Sequence, residues 1–297
     1  VRDYMILEPL TAGCQYPGIT LNNATSKHLA QKWTYETFYL PSWDTPIGMD
    51  QNLELAVTYF FFGNAINFGF YPDRDTLGPV GSINFWLALR SHPELLSASC
   101  LSRISRDDFQ AVFGPLPLLD DRIKIWQETA KTLRIKYNGK VTELYEANHW
   151  NAPEIVQAIT TDFPSFRDSQ SRVHFARRAQ LTLFMTHSRF QDNMVFTNLE
   201  RLPVCADLQV FNGLLQLGVL ELSKEILETL TAGFIPARSD LEFALRCWTI
   251  LGAETLLTEI NLHRKEAPIT ICQLDYLLRQ TGTNGKAPLP LAQTTSY

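Results

Sequence analysis

Two aspartates stand where a helical pattern calls for apolar side chains. Around 203–217, Val204, Leu208, Phe211 and Leu215 recur at helical spacing. Asp207 falls three residues after the first and four before the third, inside the apolar stripe. From 270, Ile271, Leu274 and Leu278 form another stripe, and Asp275 lies four residues after Ile271. An isolated carboxylate on a buried face is costly, so each must be paired, neutralised or set against a cavity. Carboxylates held in this way act as general acids, bases or nucleophiles. They also serve plain structural ends, bonding a backbone amide or an arginine, and by pattern alone that use is the commoner one.

Two further groups of residues have chemical potential. Arg167, Arg172, Arg177 and Arg178 cluster around His174, and Arg178 follows His174 by four, on one helix face. Guanidinium groups on such a face can hold a phosphate bidentately, while a solvated, salt-bridged basic face is the plainer alternative. Phe60, Phe61, Phe62, Phe68, Phe70 and Tyr71 flank Asn67. They could stack a flat base while Asn67 reads its edge, or simply fill a core.

The elements that must position these residues read as helices. Leu53, Ala56, Val57 and Phe60 are helically spaced, and Phe85 to Leu89 form a second apolar stretch. Residues 120–137 carry Ile123, Trp126, Ala130 and Leu133 on one face and end at Asn138-Gly139, a helix-stop signal. Further helices are predicted near 152–161, 174–190, 203–217, 222–231, 239–262 and 270–280. Ser105 with Asp108, Ser239 with Glu242, and Thr270 with Gln273 match the capping-box spacing, in which side chain and backbone satisfy each other at a helix start. Strand signals are few. The expected class is all-α. Residues 1–50, punctuated by Gly13, Pro17, Pro41 and Pro46, read as an irregular N-terminal arm with short elements, packed on a single helical domain over 51–297.

Composition removes several function classes. Of 297 residues, 45% are hydrophobic and 19% charged, the balance of a globular protein with a substantial core. A net charge of -5 is wrong for a general nucleic-acid binder, so no stable nucleic-acid partner is expected. The five cysteines (Cys14, Cys100, Cys205, Cys247, Cys272) are scattered and form no CxxC, which points to neither a zinc site nor a disulfide framework. No stretch is apolar for long enough to cross a membrane and no signal-peptide pattern opens the sequence, so a cytoplasmic protein is expected. No Gly-rich phosphate loop, GxSxG, HExxH or metal-ligand cluster occurs. Triphosphate, serine-nucleophile and metal-dependent hydrolysis therefore lack their signatures, and no metal or cofactor is expected.

Six segments, in order, resemble the queuosine salvage family of queuosine 5′-phosphate N-glycosylase/hydrolases. Gly63-Asn64-Ala65-Ile66-Asn67-Phe68-Gly69-Phe70-Tyr71 is similar to that family's D-x-L-N-F-x-F-W, and Phe163-Pro164-Ser165-Phe166-Arg167-Asp168 to its F-P-S-Y-R-D. Phe175-Ala176-Arg177-Arg178-Ala179-Gln180 looks like F-Y-K-R-A-Q. Ala206-Asp207 with Leu217-Gly218-Val219-Leu220 resembles the A-D-Y-R-L-P-Q…L-G-A-L region. Leu274-Asp275-Tyr276-Leu277-Leu278 resembles L-D-Y-x-L, and Thr294-Thr295-Ser296-Tyr297 resembles a closing T-T-A-Y.

The resemblance implies a helical fold related to DNA glycosylases and metal-independent hydrolysis of the N-glycosidic bond of queuosine 5′-phosphate, or a related 7-deazaguanine nucleotide, releasing queuine. On that template Asp207 is the catalytic carboxylate. Asp275 and Tyr276 contact the base, Asn67 and Phe68 join the binding residues, and Arg177 and Arg178 lie near the phosphate or support the site. The chain also departs from the pattern. Cys205 replaces an aromatic residue two before the catalytic aspartate, and Gln280 replaces a second base-contacting aspartate five after the first. Arg177 stands for a lysine. The expected partner is a small-molecule nucleotide. The rival expectation is a catalytically silent nucleoside-binding or base-binding protein, and a DNA-repair glycosylase is disfavoured by the acidic charge.

Overall fold

The computed structural model describes residues 7–43, 52–70, 80–190, 196–284 and 294–295. Tyr71 and the closing Ser296-Tyr297 of the resembling segments lie outside the described residues. In chain order the helices are α1 (Leu7–Gly13), α2 (Asn23–Lys32), α3 (Leu53–Ala65), α4 (Val80–Ser91), α5 (Ala98–Leu101), α6 (Arg106–Phe113) and α7 (Leu119–Lys136). They continue as α8 (Val141–Ala147), α9 (Ala152–Asp162), α10 (Arg177–Phe190), α11 (Leu208–Gln216), α12 (Lys224–Ala232), α13 (Asp240–His263) and α14 (Ile271–Asn284). Among the described residues the strands are short: β1 (Ile19–Leu21), β2 (Ser169–Gln170), β3 (Val173–His174) and β4 (Leu220–Leu222). β1 pairs antiparallel with β4, and β2 with β3. The class is all-α.

Helix starts follow local chemistry. Ser105 and Asp108 form a complete capping box at α6. At α14, the Thr270 amide donates to Gln273 Oε1 at 2.8 Å, and the Gln273 amide donates back to Thr270 Oγ1 at 3.2 Å. The box expected at α13 is only half formed. Ser239 Oγ accepts from the Glu242 amide at 3.2 Å, but the Glu242 carboxylate takes the Arg238 amide instead. α7 stops as its sequence asks, with Asn138 and Gly139 at φ 50° and 80° and the Gly139 amide donating to Leu133 O at 3.0 Å. Residues 7–43 of the expected arm carry α1, β1 and α2.

The chain divides into two units. One comprises 1–41, 169–175 and 200–293; the other comprises 42–168, 176–199 and 294–297. In the first, α13 is the central rod, packed by α1, α2, α11 and α14. α11 and α14 cross so closely that a Cβ on Gly213 would strike the Leu278 carbonyl, and one on Gly282 the Gln209 carbonyl. Glycine is what permits that approach. Asn212 Nδ2 ties the crossing by donating to Gly282 O at 2.7 Å.

In the second unit α3 is buried on every side from Ala56 to Ala65, as a helix with no polar face must be. It packs against α4, α7, α8 and α10. The aromatic run on it is core: Phe60, Phe61 and Phe62 are fully buried, and Phe61 stacks on Phe166 with ring centroids 5.2 Å apart.

Candidate active site

Asp207 is the N-cap of α11. The expected helix over 203–217 begins only at Leu208, because residues 203–206 form no helix and Asp207 itself adopts φ -128°, ψ 173°. An N-cap carboxylate accepts from backbone amides that have no intrahelical partner. Here Oδ1 accepts from the Gln209 and Val210 amides, each at 3.1 Å. Val204, Cys205 and Ala206 are buried beside it, so Asp207 is only 3% exposed. Its burial follows from this buried non-helical segment rather than from a helix face.

The close crossing of α11 and α14 brings Asp207 to Arg279, one turn after Asp275. Arg279 Nη1 donates to Asp207 Oδ2 at 2.6 Å and to Gln209 Oε1 at 3.1 Å. Arg279 Nε and Nη2 donate to Asp275 Oδ2 at 3.4 and 3.1 Å, while Asp275 Oδ1 accepts from the Cys205 amide at 2.8 Å. Two carboxylates thus share one guanidinium, and backbone amides fill the remaining acceptor positions. Burial pushes Asp275 above the usual carboxylate range. Arg279 pulls it back, Asp207 adds to the rise, and the Cys205 amide opposes it. For Arg279, burial works downward, but the charges of Asp207 and Asp275 hold it above its ordinary value. Cys205 is fully buried. Tyr276 is half-buried, and its hydroxyl accepts from Gln280 Nε2 at 2.5 Å.

The second unit holds the other expected residues. Asn67 is buried, with Nδ2 donating to Asn64 Oδ1 at 2.9 Å and its carbonyl accepting from Arg177 Nη1 at 2.8 Å. Arg178 donates to the carbonyls of Ala65 and Ser165. Arg122 donates to Ile66 O, to Phe68 O at 2.6 Å and to Gly69 O at 3.2 Å. The Phe68 ring has Arg122 at 4.6 Å and Arg178 at 5.1 Å from its centroid, within cation–π range. Three arginines therefore serve the carbonyls at and just beyond the end of α3, which lack intrahelical partners. Burial lowers Arg122 and Arg178 to about 9, so both remain cations at neutral pH.

His174 does not share a helix with Arg178. It lies in β3, with Nδ1 at 2.7 Å from Ser169 Oγ, and the left-handed Ala176 (φ 47°) delays α10 until Arg177. Arg167 donates to the carbonyls of Thr160 and Thr161 at 3.2 and 3.0 Å, and Arg172 is exposed.

Sequence reasoning passed over Arg279, Gln209 and Arg122. The spacing of Asp275 and Arg279, four apart on one helix, was the available signal for the first. Nothing local marks Gln209 as a partner. Arg122 stands four before the buried Trp126, an inward position for a charge. Among the described residues no group of three or more His, Cys, Asp or Glu could hold a metal ion. Among them, no helix is long and apolar enough to cross a membrane.

Comparison with known proteins bears on this arrangement directly. A relative from Sphaerobacter thermophilus, named queuosine 5′-phosphate N-glycosylase/hydrolase, is 28% identical over 95% of this chain and 94% of its own length. Relatives of the same name from Mus musculus (27% identical, 78% of this chain and 77% of theirs) and Dictyostelium discoideum (24%, 87% and 82%) are also similar. The family profile described as "Queuosine salvage protein" matches residues 47–296. The chain belongs to the queuosine salvage protein family.

Proposed function

We propose that this protein hydrolyses the N-glycosidic bond of queuosine 5′-phosphate, or of a related 7-deazaguanine nucleotide, without a metal ion. Water adds to the anomeric carbon, and the base leaves with the electron pair of the C–N bond and gains a proton. Positive charge builds on the sugar ring as that bond lengthens, and a pre-placed carboxylate lowers the barrier. Asp207 has that role. The observation that carries the reading is its setting: a buried carboxylate aimed by two amides and one guanidinium, in a chain whose relatives bear the enzyme's name.

Asp275, Tyr276, Cys205 and Gln280 form the base-binding group in this reading, with Asn67 and Phe68 as further binding residues. Arg177 and Arg178 bond main-chain carbonyls of their own unit, which favours a supporting role over a phosphate contact. The protein works on a small nucleotide in the cytoplasm.

The deciding experiment is base release, followed by chromatography, from queuosine 5′-phosphate and from unphosphorylated queuosine. Release from the phosphate with a higher kcat/KM than from the nucleoside is expected. Tight binding of the base with no release from either substrate would make the protein a silent binder and overturn the proposal.

A further inference from the structure

We infer that Arg279 is a positioning residue, one that fixes the orientation and charge of Asp207 and uses Asp275 as its second anchor. The inference rests on the reading that Asp207 acts at the glycosidic bond. A guanidinium is a rigid planar fork, so fixing one edge aims the other. The Nε/Nη2 edge of Arg279 is held by Asp275 Oδ2 at 3.4 and 3.1 Å, which directs Nη1 to Asp207 Oδ2 at 2.6 Å. Asp275 is itself anchored by the Cys205 amide at 2.8 Å. With Oδ1 taking the Gln209 and Val210 amides, both oxygens of Asp207 are tethered. A group so tethered needs no reorganisation as charge develops.

The charge balance points the same way. Arg279 offsets the charge of the two carboxylates that it bonds, which favours keeping both of them ionised. Without the guanidinium, two adjacent buried carboxylates would resist joint ionisation and share a proton. The other groups at this place are the Cys205 thiol before α11, and Arg246 on α13, whose Nε donates to Ala206 O at 3.1 Å. On α14 itself lies the Tyr276 hydroxyl, bonded to Gln280. Arg279 forms side-chain ion pairs with both carboxylates, and its own side chain is 14% exposed.

The test compares wild type, Arg279→Gln, Arg279→Lys and Asp207→Asn in full-length protein. Two readouts apply: the pH profile of base release, and carboxyl carbon NMR titration of the aspartates, which needs no activity. Arg279→Gln should move the acid limb of kcat/KM and the Asp207 titration upward by about one pH unit or more. It should also lower kcat on the order of 10–100-fold with little change in KM. Arg279→Lys keeps the charge but not the fork, so it should keep the acid limb and still lose kcat. A folded Arg279→Gln protein with an unmoved acid limb and unmoved carboxyl titration would overturn the inference. Should Arg279→Gln fail to fold, a lysine variant with wild-type kcat would overturn it equally. An active Asp207→Asn protein would instead sink the underlying reading of Asp207, and the carboxyl titration would still judge Arg279.

Discussion

In the first unit Arg279 bonds two buried carboxylates, Asp207 and Asp275; in the second, Arg122, Arg177 and Arg178 bond buried main-chain carbonyls. Arg122, Arg177 and Arg178 meet the carbonyls at the end of α3, and two of them lie against the Phe68 ring. The acceptors they bond are neutral carbonyls, with the buried Asp168 carboxylate as a nearby charge on Arg178. Arg279 meets two carboxylates, whose charge a developing cation can use. A buried arginine is therefore no marker of chemistry by itself. What its guanidinium faces decides whether it holds the chain together or tunes a reacting group.

Four experiments would break or sharpen that contrast. Asp207→Asn should give the largest change. Asparagine keeps the N-cap acceptor but loses the charge, so kcat should fall on the order of 10²–10³, as for loss of one preorganised electrostatic group. The cost in stability should be only about 1–3 kcal/mol, because Arg279 retains Asp275. Single-turnover base release and a melting curve on one sample check both halves. Near wild-type release from a folded variant would move Asp207 to the structural side of the comparison.

Arg178→Met should do the reverse. It strips the donors from the Ala65 and Ser165 carbonyls, at a cost of about 3 kcal/mol. The acid limb of the activity profile should stay where it is. Denaturant titration alongside the pH profile tests this, and a shifted limb would show that the second cluster also tunes the chemistry.

The third experiment reads the pH dependence of stability. Burial raises Asp275 from 3.8 in the folded protein. The native state therefore holds the proton to higher pH than the unfolded chain does. Between the ordinary value and the raised one, this residue makes the protein less stable as pH rises. The slope is at most about 1.4 kcal/mol per pH unit. Relative to Asp275→Asn, wild type should gain stability as pH falls through that window. Parallel slopes for the two proteins would mean that Arg279 and the Cys205 amide cancel the effect of burial entirely.

The smallest expected effect is that of chelation. The oxygens of Asp207 and Asp275 are engaged by N–H donors, which leaves them poorly suited to ligate a cation. Dialysis against a strong chelator should leave base release unchanged. Loss of activity restored by zinc would give the acidic cluster a different role.

The legible part of the molecule is the part built from near neighbours. Helical periodicity, the Ser105 and Thr270 boxes and the Asn138-Gly139 stop depend on residues within a turn or two. Those signals survived folding because tertiary contacts reinforce them. The burial of Asp207 and Asp275 was legible too, since a carboxylate among apolar residues has few places to go. The helix start at Leu208 was not, because a buried non-helical segment and a helix face read alike over four residues. Nor was the partner of Asp207, which stands 72 positions away at Arg279. That contact exists because Gly213 and Gly282 let two helices approach backbone to backbone. The same limit hid the roles of Arg122, Arg177 and Arg178. Sequence established that these charges were present and that two aspartates had to be paired, neutralised or set against a cavity. Only the tertiary structure decided which charge met a carboxylate and which met a carbonyl, because pairing across a core depends on how helices cross rather than on spacing within any one of them.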